Sequence, residues 1–225
     1  MIFQDRTHAG QELAARLTKY ANRPDVLVLA LPRGGVPVAY EVAKKIGAPL
    51  DVFLVRKLGV PGHEELAMGA IASGGVRVIN EDVVRFLNIP EEVIDAVAAD
   101  EQQELERRGS VYRDERPPPD VKGRVVILID DGLATGSTMR AAAAALRKQG
   151  PARIVVAVPV SAPETCNEFR SEVDEIVCAV TPEPFRGVGL WYKDFSQTTD
   201  EEVRELLERA RQNIAPRALG QAARK

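Results

Sequence analysis

The chain has 225 residues, of which 45% are hydrophobic and 28% charged, and its formal net charge is −3. This length allows one large α/β domain or a domain with an added lobe, with enough apolar residues for a sizeable core. The slight negative charge argues against nucleic-acid binding as the main role. No run of eighteen apolar residues predicts a membrane span, and the polar start MIFQDRTHAGQEL is unlike a signal peptide, so we expect a cytoplasmic protein without membrane partners.

The two cysteines, Cys166 and Cys178, fall in different predicted elements, and their spacing matches no metal-binding pattern. We therefore expect two reduced thiols in the core. No set of side chains in the sequence predicts a metal site.

The first predicted elements are a helix over residues 7–21 and a buried strand over residues 26–31. Asp5 and Arg6 precede the helix as an ordinary surface pair would. The strand is followed by the turn Pro32-Arg33-Gly34-Gly35 and then by a helix that ends at Gly47. Strand, glycine turn and helix create an anion-binding helix N-terminus, here with a guanidinium at its edge. The alternative is a structural turn that only needs glycine.

A third strand is predicted over residues 52–55, and Arg56 and Lys57 follow it directly. Cations at the carboxyl end of a parallel strand lie where open α/β sheets bind ligands, although a solvated surface dipeptide is the alternative. Residues 58–75 are rich in glycine and alanine and show no periodicity, so they form either a hairpin or a mobile flap. This segment contains Glu64 and Glu65. A short strand over 76–79 and a helix over 88–108 come next.

The most informative stretch covers residues 125–139, VVILIDDGLATGSTM. Five apolar residues predict a strand buried on both faces, and Asp130 and Asp131 follow at its end. The small-residue turn after them offers free backbone N–H groups and hydroxyls at a helix N-terminus, where phosphate binds best. The paired acids suit hydroxyl groups instead. A ribose 5-phosphate has both features. No lysine follows the turn as in a Walker loop, and the G-x-G-x-x-G dinucleotide pattern is absent.

Beyond this turn, helices over 137–149 and 164–170 alternate with strands over 154–160 and 175–180, which predicts a parallel sheet with right-handed crossovers. Three aromatic residues then gather in a loop: Trp191, Tyr192 and Phe195. They either pack the edge of the core or form a hood that stacks on a base. A capping box from Thr199 to Glu202 starts the last helix.

Residues 125–139 resemble the phosphoribosyl-diphosphate (PRPP) loop of type I phosphoribosyltransferases. The resemblance covers residues 26–180, and the opening F-x-D-R segment is similar to a bacterial group of predicted phosphoribosyltransferases, in which Arg6 would face the site. The resemblance to type I phosphoribosyltransferases implies a parallel twisted sheet flanked by helices, with a flap hairpin, a helical insertion and a small hood. The implied organisation is one domain over residues 1–225, with a core at 22–180, an insertion at 80–120, and the hood and last helix at 181–214.

The resemblance also implies roles for individual residues. Asp130 and Asp131 would contact the ribose hydroxyls, and the loop after strand 26–31, which often contains a non-proline cis peptide in this family, would bind pyrophosphate. Catalytic roles fall on Asp130, Asp131, Arg33, Lys57 and Glu65. PRPP would be bound by Arg33, Gly34, Gly35, Arg56, Lys57, Asp130, Asp131, Gly132, Ala134, Thr135, Gly136, Ser137 and Thr138. Mg²⁺ would be held mainly through PRPP, whose oxygens suit this ion better than the two acids alone.

The expected function is transfer of 5-phosphoribose from PRPP to a nitrogenous acceptor, with release of pyrophosphate and with a homodimer as a possible assembly. Two alternatives stay open: a non-catalytic PRPP or nucleotide-binding regulator, and phosphorolysis of a nucleotide-like substrate. The sequence does not identify the acceptor. Hypoxanthine–guanine enzymes carry an acid where this chain has Ala134, and the E-Y-G flap motif of adenine enzymes is here Ala67-Met68-Gly69.

Overall fold

The computed structural model describes residues 2–113 and 116–222, except for the side chains of residues 64, 65 and 214–222. In chain order the strands are β1 (Val26–Ala30), β2 (Leu50–Val52), β3 (Val55–Val60), β4 (His63–Ala72), β5 (Val76–Ile79), β6 (Val125–Ile129), β7 (Arg153–Val160) and β8 (Glu175–Val180). Five of them form a parallel sheet in the order β2-β1-β6-β7-β8, and β3-β4-β5 form a separate antiparallel sheet. The fold class predicted from the sequence is confirmed.

The helices cover both faces of the parallel sheet. In chain order the helices are α1 (Arg6–Arg16), α2 (Gly35–Ile46), α3 (Glu81–Leu87), α4 (Glu91–Arg113), α5 (Ser137–Lys148), α6 (Pro163–Glu172) and α7 (Asp200–Ala222), of which α3 and α4 pack mainly on the antiparallel sheet. Successive strand residues point to opposite faces. Val28 and Ile127 join the core under α1 and α2, whereas Leu29 and Leu128 join the core that includes Leu146 of α5. Both faces are buried, which explains why β1 and β6 show no polar alternation.

The sheet reverses its winding between β1 and β6. From β1 the chain crosses to β2 on one side, while β6, β7 and β8 follow in order on the other. Ala30 and Ile129, the last residues of β1 and β6, are paired in register. The loops after these two strands therefore start side by side, at the switch point where open α/β sheets bind ligands.

The predicted position of Arg56 and Lys57 is wrong. The parallel strand β2 ends at Val52, and both cations lie inside β3 of the antiparallel sheet. The chain leaves the parallel sheet at Leu54, whose amide donates to the Ser73 hydroxyl oxygen at 3.0 Å. The continuous apolar run Val52-Phe53-Leu54-Val55 hides this break in the sequence. Of the two predictions for residues 58–75, the hairpin is the one observed, since β3 and β4 pair antiparallel around Gly62.

The insertion after β5 holds two helices instead of the single helix predicted over residues 88–108. Asn80 caps α3 by accepting from the Val83 amide at 3.3 Å, and α4 is longer than expected, at 23 residues. Arg113, at the end of α4, is buried and donates to Asp51 at 2.9 Å and to the Val52 carbonyl. This contact fastens the insertion to β2.

The prediction of two reduced thiols is also wrong, because Cys166 of α6 and Cys178 of β8 form a disulfide. Helix α6 and strand β8 lie side by side in the fold, although nothing in the sequence indicated that the two cysteines would be close. Within the part of the chain that the structure describes, no helix combines the length and apolar character that crossing a membrane requires.

The attachment of α4 can be tested with Arg113→Ala. This change leaves Asp51 and the Val52 carbonyl without their buried cation, so we expect the free energy of unfolding to fall by about 2–4 kcal/mol. Urea unfolding measures it. Arg204→Ala is the control, because Arg204 makes an exposed pair with Glu201 and its loss should cost less than about 1 kcal/mol. Equal effects of the two changes would contradict the anchoring role of Arg113.

Candidate active site at the switch point

Two carboxylates follow β6 directly and define the centre of the site. The Asp130 carboxylate accepts from the Asp131 amide at 2.8 Å. The Asp131 carboxylate accepts from the Arg6 guanidinium, with Nε and Nη2 both 2.9 Å from Oδ2. Arg6 also donates to the Ser196 carbonyl at 2.7 Å. The N-terminal segment therefore supplies a counter-charge to one acid of the pair and ties it to the loop before α7.

The loop after β1 lies against these acids. A Cβ atom added to Gly34 would lie 2.0 Å from Oδ2 of Asp131, and one added to Gly35 would lie 2.7 Å from the Ile129 carbonyl oxygen. Both distances are too short for any side chain, so the close approach of the two loops requires glycine at these positions. The peptide bond between Pro32 and Arg33 is cis, as the family resemblance implies.

The loop after the acids forms the N-terminal end of α5. Gly136 has a φ of +72° and lies against Phe169, which leaves no room for a side chain. The Thr165 hydroxyl of α6 donates to the Ala134 carbonyl at 2.6 Å and fixes the loop from behind. Thr135, Ser137 and Thr138 are exposed. The first amides of a helix have no partners within it, so amides and hydroxyls here can surround an anion.

The acid pair is electrostatically unfavourable without a ligand. Burial raises the pKa of Asp130 well above its ordinary value, and the neighbouring Asp131 raises it further. Burial also raises the pKa of Asp131, against the opposing effect of Arg6. One guanidinium serves two acids, so hydroxyl groups that donate to Asp130 would relieve part of the cost of burial.

The three predicted hood residues occupy different environments. Tyr192 is buried, donates its hydroxyl to the Asp131 carbonyl at 2.6 Å, and packs on Phe3 at a centroid distance of 5.5 Å. Burial raises the pKa of Tyr192, so this hydroxyl stays protonated. Phe195 is 38% exposed, and the Arg6 guanidinium lies 4.0 Å from its ring centroid. Trp191 packs partly buried in the cluster around Phe3. Packing is thus observed for Tyr192, whereas stacking on a base stays a prediction, for which Phe195 has the more exposed ring.

The remaining predicted site residues lie in several different parts of the structure. Arg56 lies 2.5 Å from Glu101 of α4, an ion pair that directs it toward the insertion. Lys57 is exposed and lines a cavity of about 600 Å³ between the antiparallel sheet and α5, together with Ser137. The side chain of Glu65 lies outside the described part of the chain. Arg33 is 3.7 Å from Asp200, at the start of α7.

Arg6 contacts Asp131 in the site, and the pattern of residues in the sequence alone did not predict this contact. The sequence favoured a surface pair with Asp5, but Asp5 caps α1 by accepting from the His8 amide at 2.7 Å. Only the family resemblance indicated that Arg6 faces the site. Among the described residues, no three His, Cys, Asp or Glu side chains are grouped closely enough to hold a metal ion.

A parallel sheet with an acid pair, a glycine loop and a helix-start loop at its switch point is the architecture of the type I phosphoribosyltransferases. The chain belongs to the phosphoribosyl transferase domain family, whose model matches residues 62–190. The crystal structure of TT1426 from Thermus thermophilus is similar to it, with 43% identity, a TM-score of 0.83, and coverage of 92% of this chain and 98% of that one.

Relatives with curated descriptions agree with this family. The Mycobacterium tuberculosis protein named "Putative phosphoribosyl transferase Rv0571c" is 46% identical over 214 residues, which are 95% of this chain and 48% of that protein. The chain thus spans about half the length of this relative. The "Bifunctional protein PyrR" of Chloroflexus aurantiacus is 35% identical over 131 residues, 56% of this chain and 65% of that protein.

The raised pKa of Asp130 predicts how stability changes with pH. The folded chain holds this proton more tightly than the unfolded chain, so the contribution of Asp130 is fully present below its ordinary pKa of 3.8 and is lost as the pH rises through the raised value. We expect Asp130→Asn to stabilise the ligand-free protein by more than about 1.4 kcal/mol at pH 8, the equivalent of a tenfold change in proton affinity, and by much less near pH 4.

Urea unfolding at both pH values measures this difference. Asparagine keeps an oxygen that can accept from the Asp131 amide, so the change removes mainly the charge. Asp82→Asn, an exposed aspartate of α3, is the control and should alter stability by less than about 0.5 kcal/mol. A variant that is no more stable than the wild type at pH 8 would show that Asp130 carries no electrostatic cost.

Proposed function

We propose that the chain is a PRPP-dependent phosphoribosyltransferase, which moves 5-phosphoribose to a nitrogenous acceptor and releases pyrophosphate. The observation that carries this proposal is the partly buried acid pair, which lies between a glycine loop and the loop that starts α5. A Cβ atom at Gly34 would lie 2.0 Å from an Asp131 oxygen, and the loop to α5 begins directly after the pair. A ligand that carries a diol between two phosphate-bearing ends matches this arrangement, with the diol at the acid pair and one phosphate group at each loop.

In the proposed reaction, the bond between ribose C1 and the pyrophosphate oxygen breaks, and an acceptor nitrogen bonds to C1. Positive charge builds on the sugar and negative charge on the leaving group, so the protein must position and neutralise more than it must form bonds. The Asp130 and Asp131 carboxylates would accept from the ribose hydroxyls. The amides and hydroxyls of Thr135, Ser137 and Thr138 would hold the 5-phosphate.

Arg33 would contact pyrophosphate from the loop after β1, and Lys57 would approach from the flap. Lys57 is exposed and lines the same cavity as Ser137 at the start of α5, and closure of the flap would bring it toward the diphosphate. Closure would also exclude water, which otherwise hydrolyses PRPP. Glu65, in the same hairpin, stays a candidate for proton transfer.

Mg²⁺ fits this site as an ion bound through the substrate. Mg²⁺ prefers six oxygen ligands and keeps several waters, and two carboxylates alone leave most of that shell to PRPP oxygens. Asp130 and Asp131 are the chain's own candidates to contact the ion or its waters. When bound, Mg²⁺ would neutralise charge on the diphosphate.

A non-catalytic regulator that binds PRPP is the second candidate. Two observations favour it: Arg56 is held by Glu101 at 2.5 Å, and Ala134 stands where hypoxanthine–guanine enzymes have an acid. Phosphorolysis of a nucleotide-like substrate would use the same site. Incubation with Mg²⁺, PRPP and a panel of nitrogenous bases, with pyrophosphate as the readout, separates a transferase from a regulator, and phosphate with nucleotides tests phosphorolysis.

The ribose assignment predicts the behaviour of Asp130→Asn combined with Asp131→Asn. Each lost hydrogen bond to a charged acceptor costs about 1.5–3 kcal/mol, so ribose 5-phosphate and PRPP should bind at least about 100-fold more weakly and turnover should cease. Calorimetry and pyrophosphate release measure these effects. The exposed pair Asp82→Asn with Asp95→Asn is the control and should bind as the wild type does. Undiminished ribose 5-phosphate binding in the folded double variant would refute the assignment.

The hood assignment predicts a separate effect of Phe195→Ala. An aromatic contact contributes about 0.5–1.5 kcal/mol beyond buried area, so the KM for the acceptor should rise about three- to tenfold, with a smaller change for PRPP. Trp191 fluorescence should respond to PRPP plus acceptor more than to PRPP alone. Phe86→Ala, an 84% exposed ring on α3, is the control. An unchanged KM for the acceptor in Phe195→Ala would show that Phe195 only packs against its neighbours.

A further inference from the structure

A second group of cations lies beside the loop after β1. Arg33, Arg107, Arg108, Val111, Tyr112 and Asp200 line a cavity of about 210 Å³. Its walls come from the loop, from α4 and from the start of α7. The insertion and the last helix thus meet the predicted pyrophosphate loop around one cavity that is partly open to solvent.

Most donors of the guanidinium groups in this cavity have no hydrogen-bond acceptor among the described residues. Arg107 donates Nε and Nη2 to Glu104, at 2.7 and 3.0 Å, and Arg108 donates only Nε to the same carboxylate. The Arg33 guanidinium lies 3.7 Å from Asp200, an ion pair too long to be a hydrogen bond. A guanidinium has five N–H donors, so several here have no acceptor among the described residues and suit the oxygens of a phosphate.

The acids around the cavity fix the arginines without cancelling their charge. The bonds from Arg107 and Arg108 lower the pKa of Glu104 to about 2, so this carboxylate stays ionised and orients both side chains. Tyr112 is buried and donates its hydroxyl to Asp200 at 2.6 Å, and burial raises the pKa of Tyr112 to about 12. Three arginines against Glu104 and Asp200 leave a net positive charge.

Arg33 connects this cavity to the acid pair. It precedes Gly34, whose backbone lies close to the Asp131 carboxylate, and its own side chain lines the cavity, so adjoining residues of one loop face the acids and the cavity. Arg56, the flap cation expected at pyrophosphate, is held by Glu101 instead. A departing diphosphate needs cations, and Arg33 and the two arginines of α4 have donors without an acceptor among the described residues.

We propose that Arg107 and Arg108 of the insertion, together with Arg33, bind the terminal phosphate of the PRPP diphosphate. This inference rests on the proposed function and gives the insertion a role in the reaction. Asp200 lines the same cavity as a competing carboxylate. The pocket therefore takes a phosphoryl group with at least two free oxygens, and the ribose end of the ligand stays with Asp130 and Asp131.

The test is calorimetry with sodium pyrophosphate in the presence of Mg²⁺, and separately with ribose 5-phosphate, on the full chain. We expect Arg107→Ala with Arg108→Ala to weaken pyrophosphate binding at least tenfold and to leave ribose 5-phosphate binding unchanged. Asp200→Asn, which keeps an acceptor for Tyr112, should tighten pyrophosphate binding. These opposite signs exclude a general loss of structure. Arg204→Ala, an exposed arginine of α7 paired with Glu201, is the matched control.

Unchanged pyrophosphate binding in the folded double variant would overturn the inference, and so would an equal loss of ribose 5-phosphate binding. A wild-type protein that binds ribose 5-phosphate through Asp130 and Asp131 but does not bind pyrophosphate would refute the pocket alone. A wild type that binds pyrophosphate through Arg107 and Arg108 but does not bind ribose 5-phosphate would refute the ribose site while keeping the pocket.

Discussion

Asp130 and Asp131 lie at the end of β6 with Arg6 as their one close cation among the described residues, and much of the surrounding structure follows from this shortage of positive charge. Burying carboxylates costs free energy unless donors surround them. Asp131 receives the guanidinium, whereas Asp130 receives a backbone amide. A ligand with adjacent hydroxyls would complete the set of donors. The proposed affinity for a sugar would thus have the same physical origin as the unfavourable ligand-free state.

The neighbouring segments are shaped to reach this pair. The loop after β1 can touch Asp131 only because Gly34 has no side chain, and the hood is joined to the pair through the Tyr192 hydroxyl and the contact of Arg6 with the Ser196 carbonyl. N-terminal helix, acid pair and hood are therefore one connected structure. A change in the charge of the acids on ligand binding would be felt directly by Arg6 and, through it, by the loop that carries Phe195.

The sequence allowed good prediction of the parallel core, because strands buried on both faces and glycine turns have strong local signals. It predicted β6 and the acids after it to the residue. Prediction from the sequence failed for features that depend on contacts between residues far apart in the chain. The break at Leu54 depends on the distant Ser73, the disulfide depends on α6 packing beside β8, and α3 has a weak local pattern. The contact between Arg6 and Asp131 spans 125 residues and has no local signature.

The central claim is that the acid pair binds the sugar and the loop to α5 binds its phosphate. A crystal structure of the protein with ribose 5-phosphate tests this most directly. We predict two sugar hydroxyl oxygens within hydrogen-bonding distance of the Asp130 and Asp131 carboxylates, and the phosphate enclosed by the amides of residues 134–138. A sugar bound away from both carboxylates, or a phosphate located in the arginine pocket of α4 with the loop to α5 empty, would contradict the claim.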